Sequence, residues 1–284
     1  MAFIEIRGLS KCFSAAKGVR HVLRDVSLDV EHGEFVSIVG AMGSGKSTLL
    51  SLVAGLTTPD SGSVSIGGEM IRGVRRDAAF VFQNYSLLPW FTALENVRLA
   101  VEATFPKMTR DEQRRHATRA LEQVGLGNAI DRRPRQLSGG MRQRVAIARA
   151  FATKPQVLFL DEPFGALDAL TRETLQQELG RLCGEGEHPV TTVMITNSVE
   201  EAILLSDRIV PIIPGPPATL GTPIPVELSR PRSLAQLAHD EQATQVRAHV
   251  VSTLTASVRG RTISSSGHPT VPAASLVTPA EEIR

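Results

Sequence analysis

Five short runs along this chain are mainly apolar: Phe35–Val39, Ala78–Phe82, Val157–Leu160, Val190–Thr196 and Arg208–Ile213. Short runs rich in Val, Ile and Phe, with no consistently polar face, predict strands buried on both sides. Phe3–Arg7 and Val22–Val30 instead alternate with a period of two and predict half-buried strands, with residues 8–20 as their connection. Pro59–Gly62 reads as a turn and Ser63–Ile66 as a short strand after it. Between the buried runs the pattern becomes helical. Lys46–Ala54 is stopped by Gly55, a residue suited to a left-handed cap. Thr92…Glu95, Thr109…Glu112 and Ser198…Glu201 each have the spacing of a capping box, in which residue and backbone satisfy each other reciprocally. Gly125 closes the second of these helices. Met141–Ala150 and Leu170–Cys183 predict two more, and Ser233–Leu254 has a helical period. Pro211, Pro214, Pro216 and Pro217 are expected to break regular structure.

Strands alternating with helices predict an α/β domain. Residues 84–153 are helical in character and read as an insertion on one side of the sheet. The main domain is expected to span residues 2–228. Residues 229–284 then form a helical appendage, followed from Ala256 to Arg284 by a Ser-, Thr-, Pro- and Gly-rich stretch expected to be poorly ordered.

Composition narrows the function. With 42% hydrophobic and 21% charged residues among 284, the chain is ordinary for a globular protein. A net charge of +2 argues against a large nucleic-acid footprint. The two cysteines, Cys12 and Cys183, have no metal-ligand spacing and suggest a reducing compartment. The N-terminus lacks the apolar core of a signal peptide, and no run reaches the roughly 18 apolar residues of a membrane span. A membrane role would come through a partner.

The chemistry is concentrated in a few loops. Gly40-Ala41-Met42-Gly43-Ser44-Gly45-Lys46-Ser47 joins a buried strand to a helix that continues through Thr48, the context in which G-x-x-x-x-G-K-[ST] cradles phosphate. Glycines there let main-chain N–H groups approach the anion. Lys46 is expected to reach the β- and γ-phosphates, and the Ser47 hydroxyl to ligate Mg²⁺. Ser138-Gly139-Gly140 opens another helix and forms a second, weaker phosphate-facing nest. Asp161-Glu162 ends a strand that is otherwise wholly apolar, where charge is costly unless paired or metal-bound. Asp161 suits the Mg²⁺ sphere and Glu162 the polarisation of a water. Gln83, at the end of Ala78–Phe82, is either a metal or water ligand or a strand cap. Phe13 either stacks on a purine or packs in the core; local sequence favours the core.

Together these motifs resemble the ATP-binding subunit of an ABC transporter. Gly40–Ser47 is similar to its Walker A loop, Gln83 to the Q-loop glutamine, and Leu137–Gly140 to the family signature. Val157–Glu162 is similar to Walker B with its catalytic glutamate, and Ala166-Leu167-Asp168 to the D-loop. Phe13 falls where the family places an adenine-stacking aromatic. The resemblance covers roughly residues 2–220 and implies a P-loop NTPase core with a mostly parallel sheet, an N-terminal antiparallel β subdomain and an inserted α-helical subdomain. Leu87-Leu88-Pro89-Trp90 and Leu204–Pro216 with Arg230-Pro231-Arg232 most resemble the nitrate, sulfonate and taurine importer branch, and within it the nitrate type.

The resemblance implies ATP and Mg²⁺ as cofactors and a second ATP-binding subunit, homo- or heteromeric. Each nucleotide would lie between one subunit's Gly40–Ser47 and the other's Ser138–Gly140. It further implies integral membrane permease subunits docking on the helical block, an indirect link to a solute-binding protein, and a peripheral place on the cytoplasmic face of the inner membrane. Trp90 and Phe91 are either permease contacts or core packing of the block. Two departures stand out: Met141 follows the signature where glutamine is usual, and Asn197 occupies the place of the switch histidine. Asn197 supports the nitrate branch and also leaves open a weakly hydrolysing regulatory subunit; a soluble ATPase acting on nucleic acid or ribosomes would need two fused halves or a long coiled coil.

Overall fold

The computed structural model describes residues 2–15, 18–165, 167–184 and 189–264. In chain order they form β1 (Ile4–Ala15), β2 (Gly18–Val30), β3 (Phe35–Val39), α1 (Lys46–Val53), β4 (Ser61–Ile66), β5 (Glu69–Met70) and β6 (Ala78–Val81). Then follow α2 (Ala93–Thr104), α3 (Arg110–Gln123), α4 (Gly139–Phe151), β7 (Val157–Asp161), α5 (Ala169–Gly184) and β8 (Thr191–Thr196). The chain continues through α6 (Val199–Leu205), β9 (Arg208–Ile213), β10 (Thr219–Leu220), β11 (Ile224–Pro225), α7 (Leu234–Leu237) and α8 (Glu241–Ser264).

The five apolar runs assemble into the parallel part of one sheet, in the order β9-β3-β8-β7-β6. Alternation sorts their side chains between two cores. Phe35 and Val39 of β3 and Leu158 and Leu160 of β7 pack with α2–α6 and the C-terminal helix. Val36, Ile38, Val157 and Phe159 face α1 and the second sheet, the antiparallel β2-β1-β4-β5. The helical block from α2 to α4 shares the first core with the sheet. This two-sided burial explains why the strands read as continuous apolar runs. Among the described residues no helix is long and apolar enough to cross a membrane.

Several local expectations change. Residues 8–20 are not a simple connection: β1 and β2 run through them as a long antiparallel hairpin pairing Cys12 with His21 and Phe13 with Arg20. The register shifts between Ile6 and Leu9 and again before Cys12. Gly8 and Asp25 adopt positive φ beside these shifts, with Gly8 N–H donating to Ser27 Oγ and Asp25 N–H to Ser10 Oγ. Such bulges erase the period-two signal that marks a strand.

Pro211 does not break β9. Its carbonyl accepts from Gly221, so its backbone faces away from β3, toward the interval between β10 and β11 where no ladder bond is lost. The first two capping boxes form as expected: Thr92 with Glu95, and Thr109 with Glu112. The third does not. Ser198 Oγ accepts from Glu201 N–H, but the Glu201 carboxylate turns inward to accept from Thr196 Oγ1 at 2.6 Å, and Ser198 N–H donates to Thr196 Oγ1 instead. The run Ser233–Leu254 divides into α7 and α8, because Asp240 Oδ1 caps a new helix start at Ala243 N–H. Helix α8 continues through Ala256 to Ser264, part of the stretch expected to be poorly ordered; the remainder of that stretch lies outside the described residues.

Candidate functional site

The loop from Gly40 to Ser47 leaves β3 and is tied to the end of β8 by Gly40 N–H donating to Thr196 O. Gly43 and Gly45 have φ of 74° and 95°, which side-chain-bearing residues rarely adopt. A Cβ on Gly40 would lie 2.3 Å from Ile212 Cγ2, so the loop is held against β9. Helix α1 then starts with no side-chain cap, leaving its first N–H groups to the loop. Ser44 Oγ is buried without a hydrogen-bond partner among the described residues. A curled loop with unclaimed donors at a helix start fits a phosphate.

Lys46 is buried and its Nζ donates to the Gly40 and Ala41 carbonyls at 2.9 and 3.0 Å. It also lies 3.4 Å from Glu162 Oε1. Ser47 Oγ donates to Asp161 Oδ1 at 3.2 Å. Burial pushes the Asp161 carboxyl above its ordinary range; the Ser47 bond and Lys46 oppose this and Glu162 adds to it. Glu162 stands just past β7 with a positive φ of 43°, its N–H held by Ile195 O of β8. That strained turn aims the carboxylate back at the loop. Gln83 Nε2 donates to Glu162 Oε2 at 3.2 Å, so Glu162 is gripped from two sides.

Lys46, Ser47, Gln83 and Glu162 wall a cavity of about 520 Å³, together with Phe13, Arg20, Met42 and Thr48. Phe13 is 43% exposed, which excludes its packing in the core. Its ring has Lys11 Nζ 5.4 Å from the centroid. Arg20 belongs to no motif in the sequence. Its position opposite Phe13 follows from hairpin register, which the bulges obscure.

The remaining candidates stand elsewhere on this chain, and none lines that cavity. Ser138 caps α4, its Oγ accepting from Met141 N–H. Gly140 is buried, and a Cβ there would lie 2.2 Å from Thr171 Cγ2 of α5. Asp168 caps the other side of that contact: its Oδ1 accepts from Thr171 N–H, which holds the carboxyl below its usual range. Asn197 is exposed at the end of β8. After Gln83, Tyr85 and Ser86 take positive φ, and Arg149 of α4 donates to both of their carbonyls. The helix opened by Ser138 thus grips the segment that follows Gln83. Trp90 is 63% exposed, so core packing is overturned for that residue, while Phe91 is half-buried.

Among the described residues no cluster of three or more His, Cys, Asp or Glu could hold a metal unaided. Ser47, Gln83 and Glu162 bring oxygen to the cavity, and Asp161 stands one hydrogen bond behind Ser47, a hard set suited to a small divalent ion that also keeps phosphate or water ligands.

Comparison with known proteins shows the family. A family model described as ABC transporter matches residues 23–165. Bicarbonate transport ATP-binding protein CmpD of Synechocystis sp. is 47% identical over 246 residues, 87% of this chain and 86% of the relative. Nitrate import ATP-binding protein NrtD of Synechococcus elongatus is 46% identical over 245 residues, 86% of this chain and 89% of the relative. The solved dimeric ATP-binding cassette MJ0796 in a post-hydrolysis state with ADP and Pi superposes with a TM-score of 0.72 at 32% identity, over 80% of this chain and 100% of that one. With its phosphate loop, paired acids and sheet order in place, this chain belongs to the ABC transporter family as an ATP-hydrolysing cassette.

Proposed function

We propose that this chain powers an importer for a small oxyanion, nitrate in the first place, by closing a dimer of cassettes on ATP and opening it on hydrolysis. One observation carries the reading. The cavity holds Lys46, Ser47, Gln83 and Glu162 together, whereas Ser138–Gly140 faces no part of it. One chain therefore supplies only one wall of a nucleotide site, and the Ser138–Gly140 edge of a second cassette supplies the other. The dimeric state of the MJ0796 cassette supports that pairing. The names of NrtD and CmpD support nitrate or bicarbonate as cargo.

In this reading Phe13 and Arg20 face the base, Gly40–Thr48 holds the phosphates, and Lys46 compensates charge on the β- and γ-groups. Mg²⁺ would be held by Ser47, Gln83 and Asp161 and would neutralise charge on the transferred group. Glu162 takes the proton of the attacking water. Asn197 donates its amide N–H to the γ-phosphate, and Asp168 joins the facing cassette. Trp90 and Phe91 meet a permease subunit, which places the chain peripherally on the cytoplasmic face of the plasma membrane, with a solute-binding protein acting through that permease.

The test is uptake into proteoliposomes carrying the chain with its permease, with the solute-binding protein supplied outside. Labelled nitrate should accumulate only with internal Mg-ATP, and Lys46→Ala should abolish it. Bicarbonate accumulation without nitrate accumulation would reassign the cargo. ATP hydrolysis without transport of either anion would overturn the importer reading.

A further inference from the structure

A second cavity, of about 640 Å³, lies away from the nucleotide site, where the segment leading into α7 crosses the C-terminal halves of α5 and α6. Gln176 and Gly180 of α5, Leu204 and Leu205 of α6, and Arg230 and Ser233 of the crossing segment form its walls. Its size is that of pockets that enclose small organic ligands.

Among the described residues three arginines line it, Arg181, Arg230 and Arg232. Arg230 Nη2 donates to Leu205 O and to Asp207 Oδ1, both at 2.7 Å. Arg232 also lines the cavity, and it donates to main-chain carbonyls alone: Leu228 from Nε, Ile203 and Ser206 from Nη1, Val226 and Leu228 from Nη2. It thereby binds the crossing segment to the end of α6, and among the described residues its guanidinium touches no carboxylate. Burial pushes the guanidinium down to about 10, with Arg230 adding to the shift and Asp207 opposing it. Arg230 and Arg232 thus share Asp207.

The second observation is Gln176. It is 1% exposed and its Nε2 donates to Glu201 Oε1 at 3.4 Å. Its Oε1 is buried with no hydrogen-bond partner among the described residues. Buried amide oxygens are rarely left so. With Nε2 turned to Glu201, the oxygen edge is the one left for a donor brought in from the cavity.

We propose that this cavity binds a small organic carboxylate bearing a hydroxyl or amino donor, the carboxylate answering Arg230 and the donor answering Gln176 Oε1. The site is regulatory by its place in the fold. Helix α5 opens just after Asp168, and α6 just after Asn197 and Ser198. Gln176 bonds to Glu201, Glu201 accepts from Thr196 Oγ1, and that oxygen accepts from Ser198 N–H. A ligand on Gln176 therefore touches the hydrogen-bond chain that fixes the backbone on both sides of Asn197.

The test is titration calorimetry on the full chain without nucleotide, using L-malate against succinate and L-glutamate against glutarate. In at least one pair the donor-bearing acid should bind about tenfold tighter than its partner, the difference one hydrogen bond makes. Saturating ADP should not displace the acid, since the two sites are separate, although coupling between them can shift its affinity. Arg230→Gln should weaken it and Arg230→Lys should restore most of it, with thermal melts confirming that both fold. Three results overturn the proposal: no acid binding tighter than about 10 mM, equal affinity within both pairs, or competition by ADP, which would place the anion in the phosphate loop.

Discussion

Lys46 and Glu162 form an ion pair across the candidate site, Nζ to Oε1 at 3.4 Å, with side chains only 4% and 13% exposed. Each is held on its far side, Lys46 by the carbonyls of Gly40 and Ala41, Glu162 by Gln83. The proposed phosphate-binding cation and the proposed base are therefore partners, and a γ-phosphate entering the loop competes with Glu162 for the ammonium. That competition separates the two roles experimentally.

Glu162→Gln removes the competing charge and keeps a side chain that Gln83 can bond. ATP should bind about fivefold tighter, the worth of a partly shielded pair. Hydrolysis should fall by at least about a hundredfold through loss of the base. Fluorescent-nucleotide titration and phosphate release measure the two separately. Weaker binding would show that Glu162 organises the loop; unchanged hydrolysis would move the base elsewhere.

Asn197 lies outside the single-chain cavity, so its effect should appear only when cassettes pair. In the assembled transporter Asn197→Ala should slow turnover by about 10- to 150-fold, the loss of one hydrogen bond to a charged group. Asn197→His should remain active and acquire a pH dependence at about 6 to 7, the free histidine range. Wild-type turnover in Asn197→Ala would make the position vestigial.

Gly140 and Thr171 leave no room for a Cβ between α4 and α5. Gly140→Ala should destabilise the chain by about 1–3 kcal/mol in urea unfolding, the usual penalty of overpacking. Adding Thr171→Ser, which removes the Cγ2 methyl, should recover most of it. If the double variant is no better than the single one, the clash is absorbed by movement of α4 rather than by Thr171.

Glu201 supplies the pH prediction. Burial raises its carboxyl above the ordinary value, while the Thr196 and Gln176 bonds and Arg172 pull it down. The folded chain therefore holds the proton more tightly than the unfolded one. That contribution to stability is full below the unfolded value and is lost as pH rises through the folded one. Glu201→Gln, neutral throughout, should gain stability relative to wild type between pH 4 and pH 8 in urea midpoints. The opposite trend would mean that Thr196 and Arg172 stabilise the ionised carboxylate more than burial disfavours it.

What the residues alone determine here is whatever is built from neighbours in the chain. Gly40–Ser47, Ser138–Gly140 and Asp161-Glu162 are legible because a phosphate loop, a helix start and a strand end are each made by contiguous backbone. Two capping boxes form for the same reason, since donor and acceptor lie within one turn. The third box fails because the distant face of α5 and the buried Thr196 hydroxyl offer Glu201 an alternative that spacing cannot display. Only the tertiary structure decides that Arg20 faces Phe13 across a bulged hairpin, that Lys46 meets Glu162, that Gly140 is wedged on Thr171, and that a second cavity opens between the C-terminal halves of α5 and α6. These contacts join segments far apart in sequence. Local periodicity records which face of an element is apolar, and carries no mark of which residue on another element will press against it.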